Sequence, residues 1–232
     1  MLNKNMELRD RNSLTIIIIM MICICFAKPI NANTLPLQTV QGVTVAGYSS
    51  IIEDIEDIED EVYASLTVDN TAKINEWENV IAQIRTEYWD YNEEKALQAM
   101  HYFIDEQGLS KYGAAGIVGN IYAECGFDAS AGSYHIGICQ WDCYDRWPKI
   151  VTWLRNNGWE DYSFSGQLRA IFYSSDADYF TWVFDEMRSI SNEKEAAIYW
   201  LNNYEIAPGQ AEYKRQQGAT YALALYELEK LK

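Results

Sequence analysis

The sequence predicts an α+β fold, predominantly helical with one small β-hairpin, over residues 76–232. Three observations predict it. Apolar residues recur at three- and four-residue spacing through most segments after residue 73. Those segments end at helix-stop signals: Gly108, Gly126, Gly158 and the Pro208-Gly209 pair. Only one stretch, DASAGSYHIGICQWD at 128–142, joins turn residues to short β-like character. No repeat at domain scale accompanies them.

Two segments precede that domain. Lys4, Arg9 and Arg11 form a positive n-region before the apolar run Leu14 to Phe26. That run is short for roughly 30 Å of hydrocarbon, and small residues at Cys25 and Ala27 suit cleavage. Residues 1–27 therefore read as a signal peptide, and the body as secreted and cell-wall-facing. A retained N-terminal anchor is the alternative, and the sole route to membrane contact. Residues 28–75 are polar up to Ser50 and then run through IEDIEDIEDE, whose carboxylates repel one another and lack an apolar partner face. They read as an acidic, disordered linker or stalk. A calcium loop would need Gly and Asn among the acids at fixed offsets.

The helices follow in order. One is expected from Lys73 to about Trp89, with Ile74, Trp77, Ile81 and Ile84 on one face. A second runs from Asn92 to Gly108 on Ala96, Leu97, Met100, Phe103 and Ile104. The third starts at the capping residue Ser110 and stops at Gly126. Gly113, Gly116 and Gly119 sit three apart on it and cost roughly 1 kcal/mol each against Ala. Their presence implies a close-packed neighbouring backbone. After the hairpin, helices are expected at Arg146–Asn156, Ser165–Tyr173, Ala177–Arg188, Asn192–Tyr204 and Ala211–Leu231.

Charge and residue types exclude several functions. The formal charge is −16, which repels phosphate backbones, so nucleic acid is not an expected partner. Two histidines, His101 and His135, provide no zinc cluster, and no G-x-S-x-G occurs, so no cofactor or metal is expected. Cys139 as a nucleophile would need a downstream His, and none follows His135. Removing residues 1–27 leaves Cys125, Cys139 and Cys143. The expected arrangement is one disulfide from Cys125 to the hairpin, with buried thiols as the alternative.

The third helix carries the chemistry. Ile117, Ile121 and Glu124 share a face, so Glu124 extends an apolar stripe onto the last turn. Desolvation and the negative end of the helix dipole both favour its protonated form. A general acid working near neutral pH requires that property.

The run AAGIVGNIYAECGF followed by GICQW resembles the phage tail lysozyme family over roughly Glu93 to the C-terminus. Gly119, Asn120, Glu124, Gly126 and Phe127 match the helix-end motif; Gly137, Ile138, Gln140, Trp141 and Arg146 match the hairpin motif. Cys125 stands where Ser is usual, and Cys139 lies within the second motif. The resemblance implies a lysozyme-like domain that cleaves peptidoglycan glycan, with Glu124 as catalyst. A second carboxylate, where one is used, is expected at Asp128 or Asp142. Gln140 can both donate to and accept from a sugar, Trp141 offers a flat apolar face, and Tyr134 shares the hairpin. Tyr204 and Glu205 resemble the family's Tyr-Glu pair and would complete the cleft wall. Asn120, Gly137 and Arg146 join the substrate-binding set through their motifs. A muramidase is favoured over a glucosaminidase, lytic transglycosylase is the alternative mechanism, and a non-catalytic glycan-binding module is the alternative class.

Overall fold

The computed structural model describes residues 70–88 and 90–232. The readings of 1–27 as a signal peptide and of most of 28–75 as a linker lie outside the described residues. Helix α1 covers 70–85 in its described part, beginning ahead of the expected Lys73. Then come α2 (Glu93–His101), α3 (Lys111–Cys125), strands β1 (His135–Ile136) and β2 (Trp141–Asp142), α4 (Arg146–Asn156) and α5 (Phe164–Tyr173). Helices α6 (Thr181–Ser189), α7 (Glu193–Trp200) and α8 (Glu212–Leu231) complete the order. The two strands pair antiparallel, His135 with Asp142 and Ile136 with Trp141. Among the described residues this hairpin is the whole sheet. The α+β, mainly helical class is therefore what the chain adopts.

Helix α3 is the axis of the fold. Ser110 caps it as the sequence implies, Oγ accepting from the Gly113 N–H at 2.9 Å. The same hydroxyl donates to the Ile190 carbonyl at 2.7 Å, which ties the cap to the chain after α6. Gly126 ends the helix with φ 57°, a left-handed conformation that glycine adopts at little cost. Every residue from Gly113 to Tyr122 is buried, so α3 is enclosed on all sides rather than along one stripe.

The three glycines of α3 make that enclosure possible. A methyl at Gly113 would run into the Met187 carbonyl group of α6, and one at Gly116 would lie 2.5 Å from the Ala196 Cβ of α7. At Gly119 it would meet the Arg215 carbonyl oxygen and stand 2.5 Å from the Ala219 nitrogen of α8. Each glycine thus admits a different helix, and the propensity lost is offset by backbone-to-backbone packing on three sides.

Two departures from the expected elements shape the site. The helix expected over Ala177–Arg188 breaks at Phe180 into a 3₁₀ turn (Ala177–Tyr179) and α6. The break seats the Phe180 ring beneath the Arg146 guanidinium, 4.6 Å from ring centre to Cζ. Helix α7 widens into a π-turn over Leu201–Glu205 that ends at Ile206 with φ 57°. Such turns are rare and often mark functional positions. A similar π-turn, Tyr102–Glu106, extends α2.

Candidate active site

Glu124 lies on the last turn of α3, its side chain 17 % exposed. Local sequence puts it there through the Ser110 and Gly126 caps. Tertiary packing then supplies something the sequence did not indicate. Arg215 of α8 pairs with Glu124 through Nη2, and its own side chain is only 3 % exposed. The guanidinium is fixed at two further points. Nη1 donates to Asn120 Oδ1 at 2.7 Å and Nε donates to the Gln210 carbonyl at 3.0 Å. Asn120 spends its amide hydrogens on the Gly116 and Ala197 carbonyls at 2.8 and 2.9 Å. It is fully buried and orients Arg215.

Glu124 thus meets a buried guanidinium at the end of a buried helix. A second carboxyl interacts electrostatically with Glu124. Glu205, at the end of the π-turn, accepts from Trp200 Nε1 at 3.0 Å. Its pKa is raised to about 8, first by burial and then by repulsion from Glu124, against the pull of Arg146 and Arg215. The expected wall residue is thus a carboxyl whose surroundings favour its protonated form.

The two acids expected as alternatives for a second carboxylate are both engaged in turns. Asp128 is exposed and turned onto Ser130, accepting from its N–H at 2.9 Å and its hydroxyl at 2.7 Å. Those bonds lower its pKa. Asp142 accepts from the N–H groups of Tyr144, Asp145 and Arg146 at 3.1, 2.8 and 3.3 Å. Burial opposes its charge, but the three donors still bring its pKa below the usual value. Each closes a turn, the structural use that short acidic side chains commonly find.

The structure places the hairpin residues as follows. Trp141 is fully buried, donates from Nε1 to Tyr204 Oη at 3.1 Å and stacks on Trp147. It packs the hairpin onto the helices. Tyr204 is equally buried, stacked on Trp200 with ring centres 4.0 Å apart. Arg146 is held by Asp176 (Nη2 to Oδ2, 2.9 Å) and by the Tyr204 carbonyl (Nη1, 2.9 Å). Its side chain is 14 % exposed, so it acts as a clamp. Gly137, at φ 80°, leaves room for the Trp141 ring, which a methyl would approach to 3.0 Å. Gln140 is half-buried and bends back to the Gly137 carbonyl through Nε2 at 2.9 Å. Tyr134 keeps an exposed ring, set edge-on to the exposed Tyr144.

The three thiols are free, which overturns the expected disulfide. The Cys125 thiol turns back along its own helix to the Ile121 carbonyl at 3.3 Å, as a Ser hydroxyl would do. Cys139 is buried beneath the hairpin and Cys143 is half-buried. A buried Cys behaves as a small apolar side chain and needs no partner.

Several of these side chains were not identified from sequence. Gln167 clamps the hairpin, accepting from Ile138 N–H at 2.9 Å and donating to the Ala129 and Asp161 carbonyls. Arg215 had a legible signal. It precedes Gly218, Ala219 and Ala222 at helical spacing, so it sits on the face that α8 buries. Asp176 and Trp200 had no such mark. A depression of about 520 Å³ lined by Gln107, Phe172, Tyr173, Asp185 and Arg188 shares no residue with this cluster.

Comparison with known proteins gives one family. Residues 94–226 match the family described as Phage tail lysozyme. No curated protein and no solved structure matches.

Proposed function

Because this chain belongs to the phage tail lysozyme family, whose activity is lysozyme-like lysis of peptidoglycan, we propose that Glu124 is its catalytic carboxyl. The observation that carries this reading is the coincidence of position and support. Glu124 ends the buried central helix, keeps an exposed edge, and is braced by an arginine that is itself braced at two other points. A carboxyl held so firmly can meet a glycosidic oxygen without first being ordered, which lowers the barrier of the chemical step.

The reaction is cleavage of the glycan strand on the reducing side of N-acetylmuramic acid. A proton passes from the acid to the leaving oxygen as the C–O bond breaks, and positive charge develops at the anomeric carbon. Water then captures that carbon in a muramidase. The engagement of Asp128 and Asp142 in turns favours attention to a second route, in which the sugar's own hydroxyl closes an anhydro ring without water. Mass spectrometry of digested peptidoglycan separates the two, reducing muramic ends against 1,6-anhydro ends. Reducing glucosamine ends would refute the bond assignment.

Glu124→Gln keeps the shape and removes the acid. Lysis of purified peptidoglycan should fall by roughly 100-fold or more with the fold intact. Equal lysis by the variant would refute the role of Glu124, and retained binding to insoluble wall with no lysis by either protein would move the chain to the glycan-binding class. Export by the N-terminal segment and a wall-facing location belong to the same reading. Finding the protein confined to the cytoplasm of its source cell would refute them.

A further inference from the structure

The ends of α2 and α5 and one side of α6 enclose the depression of about 520 Å³, a size within the roughly 300–1,000 Å³ of small-ligand sites. One wall carries Tyr173, the last residue of α5. Its ring stacks on Trp153 of α4, with centres 6.1 Å apart and planes 19° from parallel. Its hydroxyl accepts from Gln107 Nε2 at 3.0 Å. The ring is thus fixed on one face and at its tip, yet the residue is 56 % exposed. A large ring held rigid at the surface of a depression is a ready apolar platform.

The polar groups around that ring form a consistent set. Gln107 spends its amide hydrogens on the Tyr173 and Tyr102 hydroxyls, so its Oε1 remains to accept. Tyr173 keeps its own hydroxyl hydrogen to donate, and the exposed Thr181 can do either. Glu106 is tied to Arg169 at 3.1 Å and Asp185 to Arg188 at 2.6 Å. Asp178 is exposed and has no ion-pair partner among the described residues. The balance of these acids and guanidinium groups is negative, which repels phosphate and other anions. Acceptors also outnumber donors. Such a lining suits a neutral ligand that is rich in hydroxyl and amide hydrogens and has an apolar ring face. A saccharide combines those properties.

We propose that this depression is a second glycan-binding site, which holds sugar rings of a wall glycan strand apart from the bond being cut. The identity of the ligand rests on the reading of the protein as a peptidoglycan glycosidase; the site itself is additional to that reading. Phe184 sets the two sites apart. It lines the depression, and its ring packs 6.2 Å from the rings of both Trp200 and Tyr204, the residues that support the π-turn of Glu205. The depression therefore backs onto the buried aromatic cluster and does not open onto the carboxyl of Glu124. A strand held there keeps the enzyme on its polymeric substrate without touching the reacting atoms. It lowers KM for insoluble wall and leaves kcat alone.

The test uses the full chain carrying Glu124→Gln, so that the ligand is not cut, and calorimetric titration with tetra-N-acetylchitotetraose. Two further substitutions are made in that chain. Tyr173→Ala removes the platform, and Thr181→Arg, at an exposed position, fills the depression while removing no contact of the core. Thermal melts verify that both variants fold. Each should weaken saccharide binding by roughly 3- to 10-fold, the worth of one aromatic contact. Equal binding by the parent and both variants, or no binding by any of them, would overturn the proposal. A penta-lysine peptide whose binding falls on substitution, with saccharide binding unmoved, would make the depression a cation site and also overturn it.

With Glu124 restored, the same two substitutions should raise KM for lysis of purified peptidoglycan and leave kcat unchanged. A fall in kcat at constant KM would place the depression in the catalytic cleft and overturn a separate site. If wild type lyses nothing while the saccharide binds as described, the functional reading fails and the site stands. If lysis proceeds while binding ignores both substitutions, the site fails and the functional reading stands.

Discussion

Gly119→Ala links the packing of the central helix to the chemistry at its end. The new methyl would lie 2.5 Å from the Ala219 nitrogen and 3.0 Å from its Cα, and nearer still to the Arg215 carbonyl oxygen. All three are backbone atoms of α8, which no side-chain rotation can clear. Ordinary contact distances require α8 to retreat by about 1 Å. Two effects oppose each other. Alanine gains roughly 1 kcal/mol of helix propensity over glycine, whereas overpacking a tight core costs about 1–3 kcal/mol. Rigid backbone on the far side puts the cost at the upper end, so the net loss should be about 1–2 kcal/mol. At about 2–4 °C per kcal/mol for a domain of this size, Tm should fall by about 2–8 °C. The same retreat carries Arg215 away from Glu124, and an error of about 1 Å at a catalytic group can cost up to about 100-fold in rate. Scanning calorimetry and peptidoglycan turbidity measure the two effects on one sample. A variant about 1 kcal/mol more stable than wild type, with lysis unchanged, would refute the close approach of α3 and α8 and the coupling built on it.

Other predictions test the surrounding groups. Arg215→Met strands Glu124 and the Asn120 carbonyl, and breaking a buried pair in this way should cost about 3–5 kcal/mol in urea denaturation. Adding Glu124→Gln should recover part of that loss, and independent, additive effects would contradict the pairing. His101 lies between Asp105 at 3.1 Å and Glu229 at 2.6 Å, and these raise its pKa although burial acts the other way. Its contribution to stability is therefore fully present below the unfolded value of about 6.5 and is lost as pH rises through the higher folded value. His101→Gln should abolish that part of the dependence of urea midpoint on pH, and an identical dependence in both proteins would exclude it. Among the three thiols, Cys143 should react first with a thiol reagent. Cys125, raised to about 12 chiefly by burial, and Cys139 should react only on unfolding. Failure of any of the three to react in denaturant without reductant would reveal a blocked or disulfide-bonded cysteine.

The sequence by itself determined what depends on near neighbours along the chain. Ser110 and Gly126 bound α3 because capping bonds and left-handed glycine act within a few residues. Gly113, Gly116 and Gly119 announced close packing because a missing side chain is a local fact with a spatial meaning. The hairpin at 135–142 and the place of Glu124 at a helix end were legible for the same reason. Only the tertiary structure decided which groups share a site. Arg215 reaches Glu124 from 91 positions away, and Glu205 arrives through a π-turn that periodicity does not signal. Trp141 was read as a sugar platform by residue type, yet Tyr204 and Trp147 cover it. The continuous helix expected at Ala177–Arg188 yields at Phe180 because the ring packs beneath Arg146. Burial and ion pairing are sums over atoms brought together from distant parts of the chain, so the protonation of a carboxyl is settled only when the helices have packed.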